Sequence, residues 1–260
     1  MREVINAGLD PHRWFAGVMN KIIDSDLTHA TDPAWVKQTN AFLKEHVSDT
    51  MRQHAKAANF GFPGALGVRT YLRNCREQGI KMTLEEAELT RSEWITAFSE
   101  MTEHMRPEKA KNTRISRNAY GMERHEADEE EEEDDGGGRD YMAKLPCGQI
   151  RNRCSYNAAC NTQFQGTVAL GAKAAGWNLV YNGYGDRLLN FVHDEYLYWL
   201  WPHELKTHIP KIESLMIAGM KQYIGSVKVG VETTCMVHWN KKAPTLDELT
   251  WAPDGTPILE

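Results

Sequence analysis

The sequence predicts an α+β chain, helical over its first hundred residues and hairpin-forming after residue 141. Three observations carry this. Apolar residues recur at helical spacing in successive segments between residues 1 and 104. The run 188–200, LLNFVHDEYLYWL, is rich in β-branched and aromatic types on both sides of a polar centre, as suits two antiparallel strands. Between these regions, 105–140 is poor in apolar groups and holds eight consecutive acids, DEEEEEDD, followed by three glycines. That composition cannot bury enough surface to fold by itself and predicts a disordered insertion.

Residues 1–24 read as a short helix, a turn at Gly8–Asp10–Pro11 and a second helix. Asp10 suits the N-cap and Pro11 the first turn. Residues 34–47 carry Trp35, Val36, Phe42, Leu43 and Val47 on one side. Ser48, Asp49 and Thr50 offer caps for the next helix, which Asn59–Gly61 and Pro63–Gly64 end. Helices follow over 65–79 and 84–104. Leu84, Ala87, Leu89, Trp94, Ile95 and Phe98 line the second, and Thr83 with Glu86 forms a capping box. Residues 141–156 predict an extended or hairpin segment around Pro146–Gly148, and an Ala-rich helix follows to about 181. Residues 203–224 predict a helix interrupted at Pro210. Residues 226–232, SVKVGVE, alternate as a strand, and 244–260 predict a loosely held tail.

Composition excludes some classes. No apolar run approaches the length needed to span a bilayer, and MREVINAGLD has no secretory apolar region. The five cysteines are scattered without a Cys-x-x-Cys pair, which predicts free thiols in a reducing compartment. The net charge of −6 comes from the acidic run. Without its eight residues, 28 acids stand against 30 Lys and Arg. Any attraction to nucleic acid must then come from local patches.

The stretch RQHAKAANFGFPGALG, 52–67, is chemically the most informative. Arg52, Lys56 and Phe60 are spaced i, i+4, i+8 and share one helix face, with the cations about 6 Å apart along the axis. A triphosphate can lie along that row with its base against the ring. Arg52 then acts as a planar fork and Lys56 as a point charge. The same spacing also describes an ordinary solvated face with a core Phe at its end. His12 falls in the first turn of its helix, where free N–H groups favour an anion. Asp194 and Glu195 sit at the tip of the 188–200 hairpin, a position wasteful for a core but apt for Mg²⁺, which takes oxygen ligands. Asn161 and Gln165, at i, i+4, place two amides on one helix face; amides can read minor-groove acceptors, which vary little between base pairs.

Three motifs in order make a resemblance. Asp10-x-His12-x-x-x-Ala16 precedes Arg52-x-x-x-Lys56-x-x-Asn59-Phe60-Gly61, which precedes Val192-His193-Asp194-Glu195. Together they resemble the C-terminal part of a family A DNA polymerase, DNA polymerase I-like and of phage type, over roughly 1–243. The resemblance implies a partial right-hand fold. Residues 1–104 would be the mostly helical fingers, 105–140 the acidic insertion, 141–243 the C-terminal half of a palm with an antiparallel sheet, and 244–260 a tail. It implies that His12, Arg52, Lys56 and Phe60 bind the deoxynucleoside triphosphate. Asp194, with Glu195, would be catalytic, Asp194 binding Mg²⁺ in a two-metal site. Asn161, Gln165 and His193 would hold primer-template DNA. Single-subunit RNA polymerases share similar motifs, but Glu195 and Phe60 favour DNA synthesis.

The chain departs from the pattern in places. Gly64 stands where bacterial members carry a Tyr, for which Phe62 is the expected substitute. Asn157 stands where they carry an Arg, for which Arg151 or Arg153 would serve. The second metal-binding aspartate would lie upstream of Asp10, which only nine residues precede. The expectation is a polymerase segment inactive alone, needing an upstream segment or partner chain with the thumb and first palm motif, and located in the cytoplasm, that of the host if the chain is phage-encoded. The alternatives are a non-catalytic nucleotide- or DNA-binding remnant, and a structural subunit of a replication complex.

Overall fold

The helix signals of the first hundred residues are realised in the computed structural model, which describes residues 1–105, 141–240 and 243–258. Helix α1 is Arg2–Ala7 and α2 is Pro11–Met19. The Asp10 side chain caps α2 by accepting from the backbone N–H groups of His12 and Arg13 at 2.8 and 3.2 Å. Helix α3, Pro33–His46, is capped by Asp32. Helix α4, Asp49–Gly61, is capped by Ser48. Helix α5 spans Val68–Glu77 and α6 spans Leu84–Ala97, the latter with both hydrogen bonds of the Thr83–Glu86 capping box. The helix expected over 84–104 breaks at Phe98, whose burial turns the chain into a short α7, Glu100–His104. Leu89, expected inward, is exposed.

The chain divides into two compact units, Met1–Gly166 and Thr167–Glu260. The first has the larger core. Trp14 and Phe15 of α2 meet Phe98, while Phe62, just past α4, packs against Tyr71 and Trp94. The expected hairpin follows 141: β1, Tyr141–Lys144, pairs antiparallel with β2, Ile150–Cys154. Helix α8, Tyr156–Leu179, then crosses from the first unit into the second.

In the second unit, β3, Leu188–Val192, and β4, Glu195–Tyr198, form the expected antiparallel hairpin, with Val192 opposite Glu195. Tyr196 donates its hydroxyl to the Ala172 carbonyl at 2.7 Å and stacks on Phe191, which seats the hairpin on α8. Helix α9, Leu205–Ile224, runs through Pro210 instead of breaking there. Pro210 removes one backbone donor, but Ile209 and Ile212 on either side are buried and hold the helix together. Gly219 brings α9 against α8: a Cβ there would lie 2.3 Å from the Ala175 nitrogen and 2.4 Å from its Cα. Backbone atoms cannot rotate away. Gly219→Ala is therefore expected to cost about 1–3 kcal/mol, beyond any gain in helix propensity. A thermal melt should show a midpoint several degrees lower, and an unchanged midpoint would rule out so close a contact.

The C-terminal expectations need correction. Residues 226–232 do not form a strand, because their alternating valines find no partner edge; among the described residues this stretch has no ladder partner. Among the described residues the strands do not join in one sheet. The described strands make three separate two-stranded antiparallel pairs, the last being β5, Thr250–Trp251, with β6, Pro257–Ile258. The tail is held. Leu249 is buried with Leu205, Ile209 and Cys235, and the Lys206 ammonium lies 4.7 Å from the Trp251 ring centre. The acidic insertion, 105–140, lies outside the described residues but for Met105. No described helix is long and apolar enough to cross a membrane.

Candidate functional site

In the first unit, α2 and α4 bring one predicted group together. Arg52, Lys56 and Phe60 follow one face of α4, and His12 sits in the first turn of α2 beside it. The Lys56 ammonium is 5.7 Å from the Phe60 ring centre, and the His12 and Phe60 rings are 5.5 Å apart. Phe60 is 65% exposed, which excludes the core alternative for this ring. Phe62, two residues on, is 1% exposed. It is therefore core and cannot take the place of the Tyr that the resemblance sets at Gly64. Gly64 itself lies close to α8: a Cβ there would come within 3.4 Å of the Asn161 Cβ.

Two residues outside the expected binding set position the group. Asp10, besides capping α2, takes the Arg52 Nε at 2.8 Å. Asn59 is buried and makes three bonds. Its amide donates to the Pro11 carbonyl at 3.1 Å and to His12 Nδ1 at 3.0 Å, and its oxygen accepts from the Trp94 indole N–H at 2.9 Å. With Nδ1 accepting, the neutral imidazole carries its proton on Nε2. The sequence marks Asn59 as a member of the second motif and a helix-ending residue, but not its three bonds. Asn59→Ala would leave the Trp94 N–H and the His12 ring without partners. It is expected to destabilise the first unit by about 1–3 kcal/mol in denaturant titration; an unchanged midpoint would show that the bonds carry no weight.

The electrostatics follow from these contacts. Burial acts to raise the Asp10 pKa, but hydrogen bonds from Arg52 and from the Arg13 and His12 amides, with the Arg52 charge, outweigh it and hold the carboxyl below its ordinary value. Burial lowers the His12 pKa, and Arg52 and Lys56 add to this against the opposing charge of Asp10. Both folded values lie below the unfolded ones, so both contributions are present at high pH and lost on acidification. His12's begins to go as pH falls below its ordinary value of 6.5, and Asp10's below 3.8. His12→Gln is expected to remove the upper part of this acid sensitivity, as read by melts across pH.

Also in the first unit, Asn161 is half-buried and Gln165 exposed, one turn apart on α8. Arg151 donates to the Thr162 hydroxyl at 3.1 Å and so reaches α8 next to Asn161. Arg153 occupies the left-handed region at φ 51.

In the second unit, His193 and Asp194 form the two-residue tip between β3 and β4, with His193 at φ 56. His193, Asp194 and Glu195 are all exposed. Carboxylate oxygens are the right donors for Mg²⁺. Among the described residues no group of three or more metal-ligating side chains occurs. Asp194 fits one ligand position of such an ion.

No family model and no curated protein matches the sequence. Among solved structures, the chain is similar to the POL domain of Pol1 from M. smegmatis, in complex with DNA primer-template and dNTP. The TM-score is 0.55 at 18% identity, and the match covers 86% of this chain and 33% of that one. The likeness is one of fold, and this chain spans about a third of that one's length.

Proposed function

We propose that the chain contributes to template-directed DNA synthesis as the fingers and part of the palm of a family A DNA polymerase of phage type. The observation that carries this is the face of α4, where Arg52, Lys56 and an exposed Phe60 stand beside His12. The likeness to a fold solved with primer-template and dNTP supports it. In this reading residues 1–104 are fingers and 141–243 belong to the palm. Lys56 and the Arg52 Nη groups, left over after its Nε takes Asp10, bind the triphosphate. His12 donates to it from Nε2, and Phe60 stacks on the base. Asn161, Gln165 and His193 hold the primer-template. Asp194, supported by Glu195, is one ligand of the metal site. When bound there, Mg²⁺ would supply Lewis-acid chemistry for the primer 3′-hydroxyl and the pyrophosphate leaving group.

A two-metal site needs carboxylates that hold ions about 3.5–4 Å apart, which two neighbours on one hairpin tip cannot do. In this reading the second carboxylate is supplied by an upstream segment or a partner chain. The test is primer extension with Mg²⁺. Purified residues 1–260 should be inert, and adding a chain with the upstream palm strand and thumb should restore synthesis. Robust extension by the chain alone would overturn this assignment. The second reading is a non-catalytic nucleotide- or DNA-binding module, which the face of α4 alone would serve. Nucleotide binding without extension in the completed assembly would select it.

A further inference from the structure

The second unit holds a polar cluster that the proposed reaction does not use. After α8 the backbone leaves helical geometry at Asn182 and Gly183, the latter at φ 84, and turns back toward α9. An open cavity of about 680 Å³ lies between this bend and α9, within the range of small-ligand sites. His208, Lys211 and Ser214 recur every third residue along one side of α9 and line it, with Asn182, Tyr184 and Arg187 opposite.

The groups around the cavity are ordered by one another. Arg187 holds Glu204 through two hydrogen bonds of 2.6 and 3.0 Å. These bonds keep the Glu204 carboxyl down at about 2, so it stays ionised and offsets the guanidinium. The Tyr184 hydroxyl and His208 Nδ1 are 2.9 Å apart. With Tyr184 donating, the imidazole keeps its proton on Nε2, which stands 4.0 Å from Glu204, too far for a hydrogen bond. No carboxylate lines the cavity, and among the described residues Lys211 has no ion pair. The walls therefore carry one uncompensated positive charge and several donors from different elements.

We infer that this cavity binds a phosphate group, with Lys211 as the charge and Ser214 and His208 as hydrogen-bond donors, joined by the second N–H of Asn182, whose amide also donates to the Asn178 carbonyl at 2.7 Å. Donors spread around the cavity suit a tetrahedral oxyanion with many acceptors better than a planar carboxylate. The phosphate could be free or part of a nucleic-acid backbone. The inference does not depend on the polymerase reading.

The test follows the His208 ring resonances of the full chain by NMR during separate titrations with inorganic phosphate, pyrophosphate and a short DNA duplex. A saturable shift is expected with at least one of them. Lys211→Met should weaken it about tenfold or more, while Lys56→Ala, in the other unit, should leave it unchanged. Tighter binding of pyrophosphate or phosphate than of duplex assigns a free ligand, and the reverse assigns a backbone. No saturable shift with any probe, or equal affinity in Lys211→Met, overturns the inference. Lys211→Gln serves in the same role if the Met variant melts early.

Discussion

Asp194→Asn is expected to lower primer extension by the completed enzyme on the order of a thousandfold or more. The amide keeps the size of the side chain and one oxygen but loses the charge that draws a divalent ion. Metal stabilisation of the transition state is worth several kcal/mol, and each 1.36 kcal/mol is about tenfold in rate. Asp194 is exposed at a two-residue tip, so the hairpin should be undisturbed. Thermal midpoint and nucleotide affinity should stay as in the parent chain. Extension within a few fold of the parent would remove Asp194 from the metal site.

The second large effect lies in the other unit. Lys56→Ala should lower kcat/KM roughly 10- to 150-fold, because a charge-assisted hydrogen bond is worth about 1.5–3 kcal/mol. The loss should be similar for all four deoxynucleotides, since a phosphate contact does not read the base. A loss confined to one base would sink the phosphate assignment. Phe60→Ala makes a useful companion, since it removes stacking and leaves both cations in place.

The sequence announces what is local and misses what is distant. Asp10, Ser48 and the Thr83–Glu86 pair cap their helices as their spacing predicts, because capping is settled within three residues. The hairpin around His193–Asp194 follows from its turn and its flanking pattern. Phe60 and Phe62 show the limit. They sit two residues apart at one helix end, and only the positions of Tyr71 and Trp94 decide that Phe62 is core and Phe60 is free. The motif names Asn59 but not its bonds, since its partners are 47 and 35 residues away in the chain. At 226–232 the alternation is that of a strand, but pairing needs a neighbouring edge that no local pattern supplies. The tail has the opposite history. Its composition is that of a loose end, yet Leu249 and Trp251 find α9.

Because Asp10 lies against Arg52, the row on α4 carries one net positive charge instead of two, and a neutral His12 adds none. In the proposed reading a triphosphate would therefore be matched on these residues by shape and hydrogen bonding more than by total charge. Counterions gain little by competing for such a site. Nucleotide affinity at the face of α4 should vary only weakly with ionic strength, and Asp10→Asn should make it both tighter in dilute buffer and steeper in its salt dependence.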